Sequence, residues 1–303
     1  MPQPPWPELN WPDWSDTADT LHLWTQIVGK TRLALTPLQN HWWNVPLYLS
    51  ARGLTTSAMP LPQSGKLLEI EFDFHAHQLH LRLTGGTTLD LPLRPQSVAA
   101  FFAEYKAALH SLGIDIPIWP MPVELTDPIR FDLDHTHASY DPAAVECFHQ
   151  ILIHVDTLLK RFSTGFLGKI SPVHFFWGSF DLCVTRFKGR VCPGPPRPDP
   201  VQQEAYSHEV ISAGFWPGNG GFGAPAFYCY AAPAPEGLSA QTIHPGAFNP
   251  ALGEFILLYN DVRATPDPAQ AVLDFLESSY AAAADSAHWD RAALERPLAT
   301  APA

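Results

Sequence analysis

Three amphipathic stripes commit this chain to long helices. Val98, Phe101, Phe102, Tyr105 and Leu109 recur at helical spacing. So do Val145, Phe148, Leu152, Val155, Leu159 and Phe162, and again Val272, Phe275, Leu276, Ser279, Tyr280 and Ala283. The second stripe opens at Asp141-Pro142, where a carboxylate caps the first turn and a proline fits the first helical position. The third opens at Asp267-Pro268-Ala-Gln270, which reads as a capping box. A further helix is predicted after Asp16, with Leu21, Trp24, Ile27 and Val28 on one face, and a short one over residues 287–294.

The intervening segments carry strand patterning. They lie at residues 44–54, 67–74, 78–83 and 87–93, and again at 173–187, 209–215, 225–231 and 254–262. Gly85-Gly86 marks a hairpin between the third and fourth. The fold class expected is therefore α+β, mainly antiparallel sheet flanked by long helices. One domain over 16–295 would sit between an N-terminal tail, 1–15, and a frayed end, 296–303. Within it, halves 16–112 and 141–285 each read as helix, four strands, helix, joined by a Pro-rich connector, 113–140. That parallel points to a duplicated unit whose two sheets would join into one broad sheet. Any two amphipathic helices share such spacing, however, so the pattern alone does not establish duplication.

Composition narrows the function classes. The 303 residues are 46% hydrophobic and 16% charged, with ten Trp and eighteen Phe, enough for a sizeable core. Net charge is −12 and only 18 residues are Lys or Arg, so no basic stripe is expected to bind nucleic acid or an anionic membrane. No apolar run approaches a membrane span, and the N-terminus lacks the basic and apolar regions of a signal peptide. Cys147, Cys183, Cys192 and Cys229 form no CxxC pair and read as free thiols of a cytoplasmic protein.

Two blocks place ionisable groups inside aromatic runs. One spans Ser171 to Arg186 and holds His174, Trp177 and Asp181. The other spans Ser207 to Gly218 and holds His208, Glu209, Phe215 and Trp216. Burying such groups is costly unless they are partnered, so they draw attention as site candidates. His174, His208 and Glu209 are the candidates for acid/base or ligand chemistry. With Asp134 and His137 they also form a candidate divalent-metal set, although no HExxH places two ligands on one helix face. Arg186 would hold an anionic group, and Trp177, Phe215 and Trp216 would wall the pocket. Asp181, a further ligand-binding candidate, lies five residues from Arg186 and so on the opposite strand face. A regular strand would put Arg186 on the same face as His174. The histidines at 75, 77 and 80 read as a surface cluster around a hairpin. His149 flanks the apolar stripe of its helix and His154 points away from it.

Other motifs fail. Gly218-Asn-Gly220-Gly-Phe-Gly223 matches GxGxxG in form, but a strand rather than a helix follows, so no nucleotide cofactor is expected. As a loop it would suit a lid. Ser212 lacks the first glycine of GxSxG, no cysteine has an adjacent basic helper, and no P-loop pattern occurs.

In these blocks the chain resembles a bacterial family catalogued only as a domain of unknown function. The resemblance rests on Pro172-Val-His-Phe-Phe-Trp-Gly-Ser-Phe-Asp-Leu182, Thr185-Arg186-Phe187 and His208-Glu-Val-Ile-Ser-Ala-Gly-Phe-Trp-Pro-Gly218. Ala226-Phe-Tyr228, the segment from Asp134 to Asp141, and Trp289-Asp290-Arg291 extend it over about residues 15–295. It implies no activity. Three functions remain open: an enzyme acting on a small molecule, a non-catalytic small-molecule binder, or an interaction module using the Phe-Trp-Pro-Gly loop. The sequence does not indicate oligomeric state.

Overall fold

The computed structural model describes residues 6–62, 64–194, 199–219 and 221–296. Of the two expected tails, residues 1–5 and 297–303 therefore lie outside the described residues, as does Gly220 of the glycine loop. Trp6 is packed, stacking on His154 with ring centroids 5.0 Å apart.

Helix α1 (Trp11–Leu35) starts earlier than the sequence predicts, with Pro12 in its first turn. Its second half is buried on every side, including Gln26, Lys30, Thr31 and Arg32. A helix segment buried all round needs no single apolar stripe, and here the polar residues share the burial. Strands β1 (Tyr48–Leu49), β2 (Gly53–Thr55), β3 (Met59–Leu61), β4 (Lys66–Asp73), β5 (Gln78–Leu83) and β6 (Thr88–Pro92) follow. They form one antiparallel sheet in the order β1-β2-β4-β5-β6, with β3 also on β4. Helix α2 (Val98–Ser111) closes this half, capped by the Ser97 hydroxyl on Ala100 N.

After the connector, α3 (Pro142–Ser163) is capped by Asp141, whose carboxylate accepts from Ala143 N and Ala144 N. Strands β7 (His174–Phe176) and β8 (Asp181–Val191), helix α4 (Pro200–Ala205), and strands β9 (His208–Trp216), β10 (Ala226–Ala232), β11 (Ala247–Asn249) and β12 (Glu254–Leu258) come next. Helices α5 (Tyr259–Arg263), α6 (Pro268–Ser286) and α7 (Arg291–Leu294) end the chain. The second sheet is also antiparallel, in the order β11-β12-β10-β9-β8-β7. The expected joining into one broad sheet is limited to the facing edges, β1 and β7. Two six-stranded sheets meet at one bridge, Leu47↔Phe175. Among the described residues no helix is long and apolar enough to cross a membrane.

The expected strand 173–187 is a hairpin. Chain direction reverses at Trp177-Gly-Ser-Phe180, with Phe180 N donating to Phe176 O (2.8 Å) and Phe180 itself at φ 59°. His174 consequently pairs with Cys183.

Alternation divides the second sheet into two faces. Phe175, Leu182, Val184, Ile211, Ala213, Phe215, Phe227, Phe255 and Leu257 join the main core with α3 and α6. The opposite face carries Cys183, Ala226, Tyr228 and Ile256, with Phe176, Trp216 and Tyr230 beside them. The connector, α4 and the start of α1 lie over that second face and leave a cleft.

Candidate functional site

The cleft has a volume of about 700 Å³. Its floor is the second sheet, presenting Asp181 from the start of β8, Tyr228 and Tyr230 from β10, and Glu254 from the start of β12. Trp11, Asp19 and His22 of α1 form one wall. Glu124 of the connector, Gln202 and Tyr206 around α4, and Trp216 at the end of β9 complete the rim.

Asp181 organises the floor. The Ser179 hydroxyl donates to its Oδ1 and the Tyr228 hydroxyl to its Oδ2. Burial raises its pKa against the pull of these two donors. Glycine makes the Tyr228 contact feasible, because a Cβ on Gly214 would lie 2.7 Å from the Tyr228 hydroxyl and 2.5 Å from the Leu182 carbonyl. Tyr228 stacks on Tyr230 (centroids 6.0 Å, 19°), and the Tyr230 and Tyr206 hydroxyls are 2.9 Å apart. At the rim Trp216 stacks on Phe222 (5.0 Å).

Two polar residues of α1 hold the upper wall in place. His22 Nε2 donates to the Gly178 carbonyl (2.9 Å), fixing the hairpin turn. Burial lowers its pKa to about 4, so the ring is neutral. Gln26 clamps the connector, accepting from Val123 N (2.9 Å) and donating to Val123 O (3.0 Å). That clamp presents the next residue, Glu124, in a left-handed conformation (φ 58°), with its carboxylate over Gly178. A Cβ on Gly178 would come within 2.4 Å of Glu124 Oε1. A non-glycine residue in this region stores backbone strain, a feature concentrated at functional segments.

The cleft carboxyls hold their protons tightly. Burial, then the Asp181 and Asp199 charges, raise Glu124 to about 6. Burial and Asp181 raise Glu254 to about 7. Burial also raises Asp19, an effect opposed by His137. At neutral pH the site therefore offers carboxyl groups in both protonation states, the condition for general acid–base chemistry.

Of the candidate site residues, Asp181 and Trp216 line this cleft, as do Gly218 and Asn219 of the glycine loop, and the other candidates lie elsewhere. His174 is buried against Trp43, Tyr48 and Phe176, and burial plus the Arg32 guanidinium push its pKa down to about 3. His208 meets Ser207 Oγ (3.1 Å) and the edge of the His41 ring (5.6 Å). Glu209 is taken up by Lys188 (2.8 Å) and Arg190 (3.4 Å). Arg186 points to the helix-packed face, not the face of His174, because the hairpin turn breaks the expected alternation. Its guanidinium lies 3.4 Å from the Phe162 ring centroid and 4.1 Å from that of Tyr280, donates to Phe162 O (2.6 Å), and approaches Glu277 (3.9 Å). Trp177 donates from its indole to Val45 O (2.8 Å) and packs on Gly29. Phe215 is fully buried against Phe227 and Tyr259. The Phe-Trp-Pro-Gly segment thus forms no flat exposed patch.

Asp134 and His137 pair with each other (2.7 Å), and the buried Asp134 carboxylate also accepts from Thr136 N and His137 N. The five metal candidates do not come together, and among the described residues no group of three or more His, Cys, Asp or Glu side chains could hold a metal ion. Sequence reasoning missed Glu124, Glu254, His22 and the tyrosines. The alternation in Ala226-Phe-Tyr228-Cys-Tyr230 was a signal for the last, since it places both tyrosines on one face.

The profile of one protein family, a family of unknown function (DUF5996), matches residues 6–296. The chain belongs to that family. The match takes in the whole cleft, from Trp11 to Glu254, so the site is built within the DUF5996 region. No curated protein and no solved structure matches the chain.

Proposed function

We propose that this DUF5996 protein takes up a small molecule in the cleft and acts on it, or holds it, through carboxyl rather than histidine chemistry. One observation carries the reading: a buried carboxylate, Asp181, opens into a cavity of about 700 Å³ and is fixed there by two hydroxyl donors. Small-molecule sites commonly combine an apolar, aromatic lining with a few converging polar groups. Trp11, Trp216, Tyr228 and Tyr230 supply the lining and Asp181, Glu124 and Glu254 the polar groups. Glu254, held at about 7, is the proton donor of this reading and Glu124, at about 6, the acceptor. A cytoplasmic setting fits the four free cysteines. The acidic cleft and the low Lys and Arg content argue against nucleic acid as the occupant.

The test is a thermal-shift screen of a chemically diverse metabolite panel against wild type and Asp181→Asn. The expected result is a compound that stabilises wild type and not the variant. Failure of every compound, or equal stabilisation of both proteins by every hit, would remove the cleft as the functional site.

A further inference from the structure

Five carboxylate residues are buried among the described residues: Glu71, Asp73, Asp134, Asp181 and Glu209. Four have a basic partner. Arg82 lies 2.7 Å from Glu71, Arg52 and His80 reach Asp73, His137 lies 2.7 Å from Asp134, and Lys188 lies 2.8 Å from Glu209. Asp181 has none among the described residues; its partners are the Ser179 and Tyr228 hydroxyls. It is also the one of the five that opens into the cleft. Buried charge is normally matched, and the other four buried carboxylates among the described residues are matched.

The mismatch extends across the cavity. Glu254, Glu124 and Asp19 line it as well, and no described Lys or Arg does. Its one histidine, His22, is bound to a backbone carbonyl. An anionic ligand would meet several carboxylates and, among the described residues, no basic group other than neutral His22. A neutral polyol would satisfy lone pairs but leave the charge uncompensated. Aromatic faces at Trp11, Trp216, Tyr228 and Tyr230 suit a cation in addition. The fold itself uses that pairing, setting the Lys30 ammonium 4.7 Å from the Trp119 ring centroid.

We propose that the occupant of the cleft is an aliphatic di- or polyamine, one ammonium group pairing with Asp181 at the floor while the chain runs between the tyrosine and tryptophan faces past Glu254 and Glu124. This rests on the cleft being a small-molecule site and names the ligand class.

The experiment is isothermal titration of the full chain with spermidine and putrescine at about 0.15 M salt, where loose surface attraction is screened. Sorbitol and succinate serve as neutral and anionic probes. Asp181→Asn and Glu254→Gln are near-isosteric tests, and Glu209→Gln, outside the cleft, is the control; circular dichroism checks that each is folded. Because Glu254 is only part-buried, its variant keeps the test decisive should Asp181→Asn fail to fold. The expected result is saturable spermidine binding, weakened about 10-fold or more by either cleft substitution and unchanged in the control. Equal binding to all four proteins would overturn the proposal by assigning the affinity to net charge. Sorbitol or succinate binding that depends on Asp181, with no spermidine binding, would overturn the ligand class and leave the cleft standing. No binding by any probe, together with a failed metabolite screen, would overturn both.

Discussion

Replacing Glu254 with Gln tests the electrostatics of the cleft without a ligand. Burial and the Asp181 charge hold this carboxyl at about 7, against an ordinary value of 4.5. Its folded-state pKa therefore lies above its unfolded one. The contribution of the protonated group is complete below 4.5 and is lost as pH rises to about 7, because the unfolded chain releases this proton first. A fully buried carboxyl shifted this far would account for about 3 kcal/mol. Glu254 is part-exposed, and solvent screening reduces the figure to about 1–2 kcal/mol. Glutamine keeps the shape and cannot ionise. Urea unfolding of wild type and Glu254→Gln at pH 5 and pH 8 reads the difference. The variant should match wild type closely at pH 5 and exceed it by about 1–2 kcal/mol at pH 8. A difference that stays constant over this range, or a wild type that is the more stable protein at pH 8, would refute the description of the cleft as a set of unmatched carboxyls.

Other outcomes follow from the packing. Gly214→Ala should lower stability by about 1–3 kcal/mol and release the Tyr228 hydroxyl from Asp181, since the new methyl would face Leu182 O at 2.5 Å and Cys183 Cβ at 2.7 Å; unchanged urea midpoint and unchanged tyrosine fluorescence would contradict this. Asp141→Ala should cost about 1 kcal/mol by uncapping α3, measured by denaturant unfolding at neutral pH. His174→Ala and His208→Ala should leave metal content by elemental analysis equal to wild type, because the candidate ligands are not assembled; a stoichiometric metal lost in both variants would restore a metal centre.

Local signals made the long helices legible. Asp141 and Asp267 do cap α3 and α6, each through its own side chain, and Ser97, which was not singled out, caps α2 in the same way. The register of the second sheet was less accessible. Its decisive turn is Trp177-Gly178-Ser179-Phe180, which carries none of the Asn-Gly or Asp-Gly chemistry that announces a hairpin, and puts a phenylalanine in the left-handed position. Reading through that turn as one strand reverses the face assigned to Arg186 relative to His174. Strand pattern likewise carried past Leu258, where the apolar residues of α5, Tyr259 and Val262, continue the run but lie on a short helix. The cleft was hardest to see. Glu124 and Glu254 sit in unremarkable local contexts 130 positions apart, and it takes the connector for the one and the pairing of β12 within the second sheet for the other to bring them into the cleft of Asp181.

Ionisable residues in aromatic sequence drew attention for a sound physical reason, but burial alone does not separate structure from function. Arg186 is among the most deeply buried charges in the chain, and the Phe162 and Tyr280 rings, a backbone carbonyl and Glu277 all face it. Glu209 lies beside Lys188, contributed by the neighbouring strand β8. Such partners come from tertiary pairing, which residue type cannot disclose. His174 is buried in another way, losing its charge, and a neutral imidazole in an aromatic nest needs no counter-ion. Asp181 differs from all three. Among the described residues it has no cation, and it opens onto a cavity lined by further carboxyls. In this fold the informative quantity is therefore not how deeply a charge is buried but whether the chain supplies its match, and by that measure Asp181 is where a ligand has something to contribute.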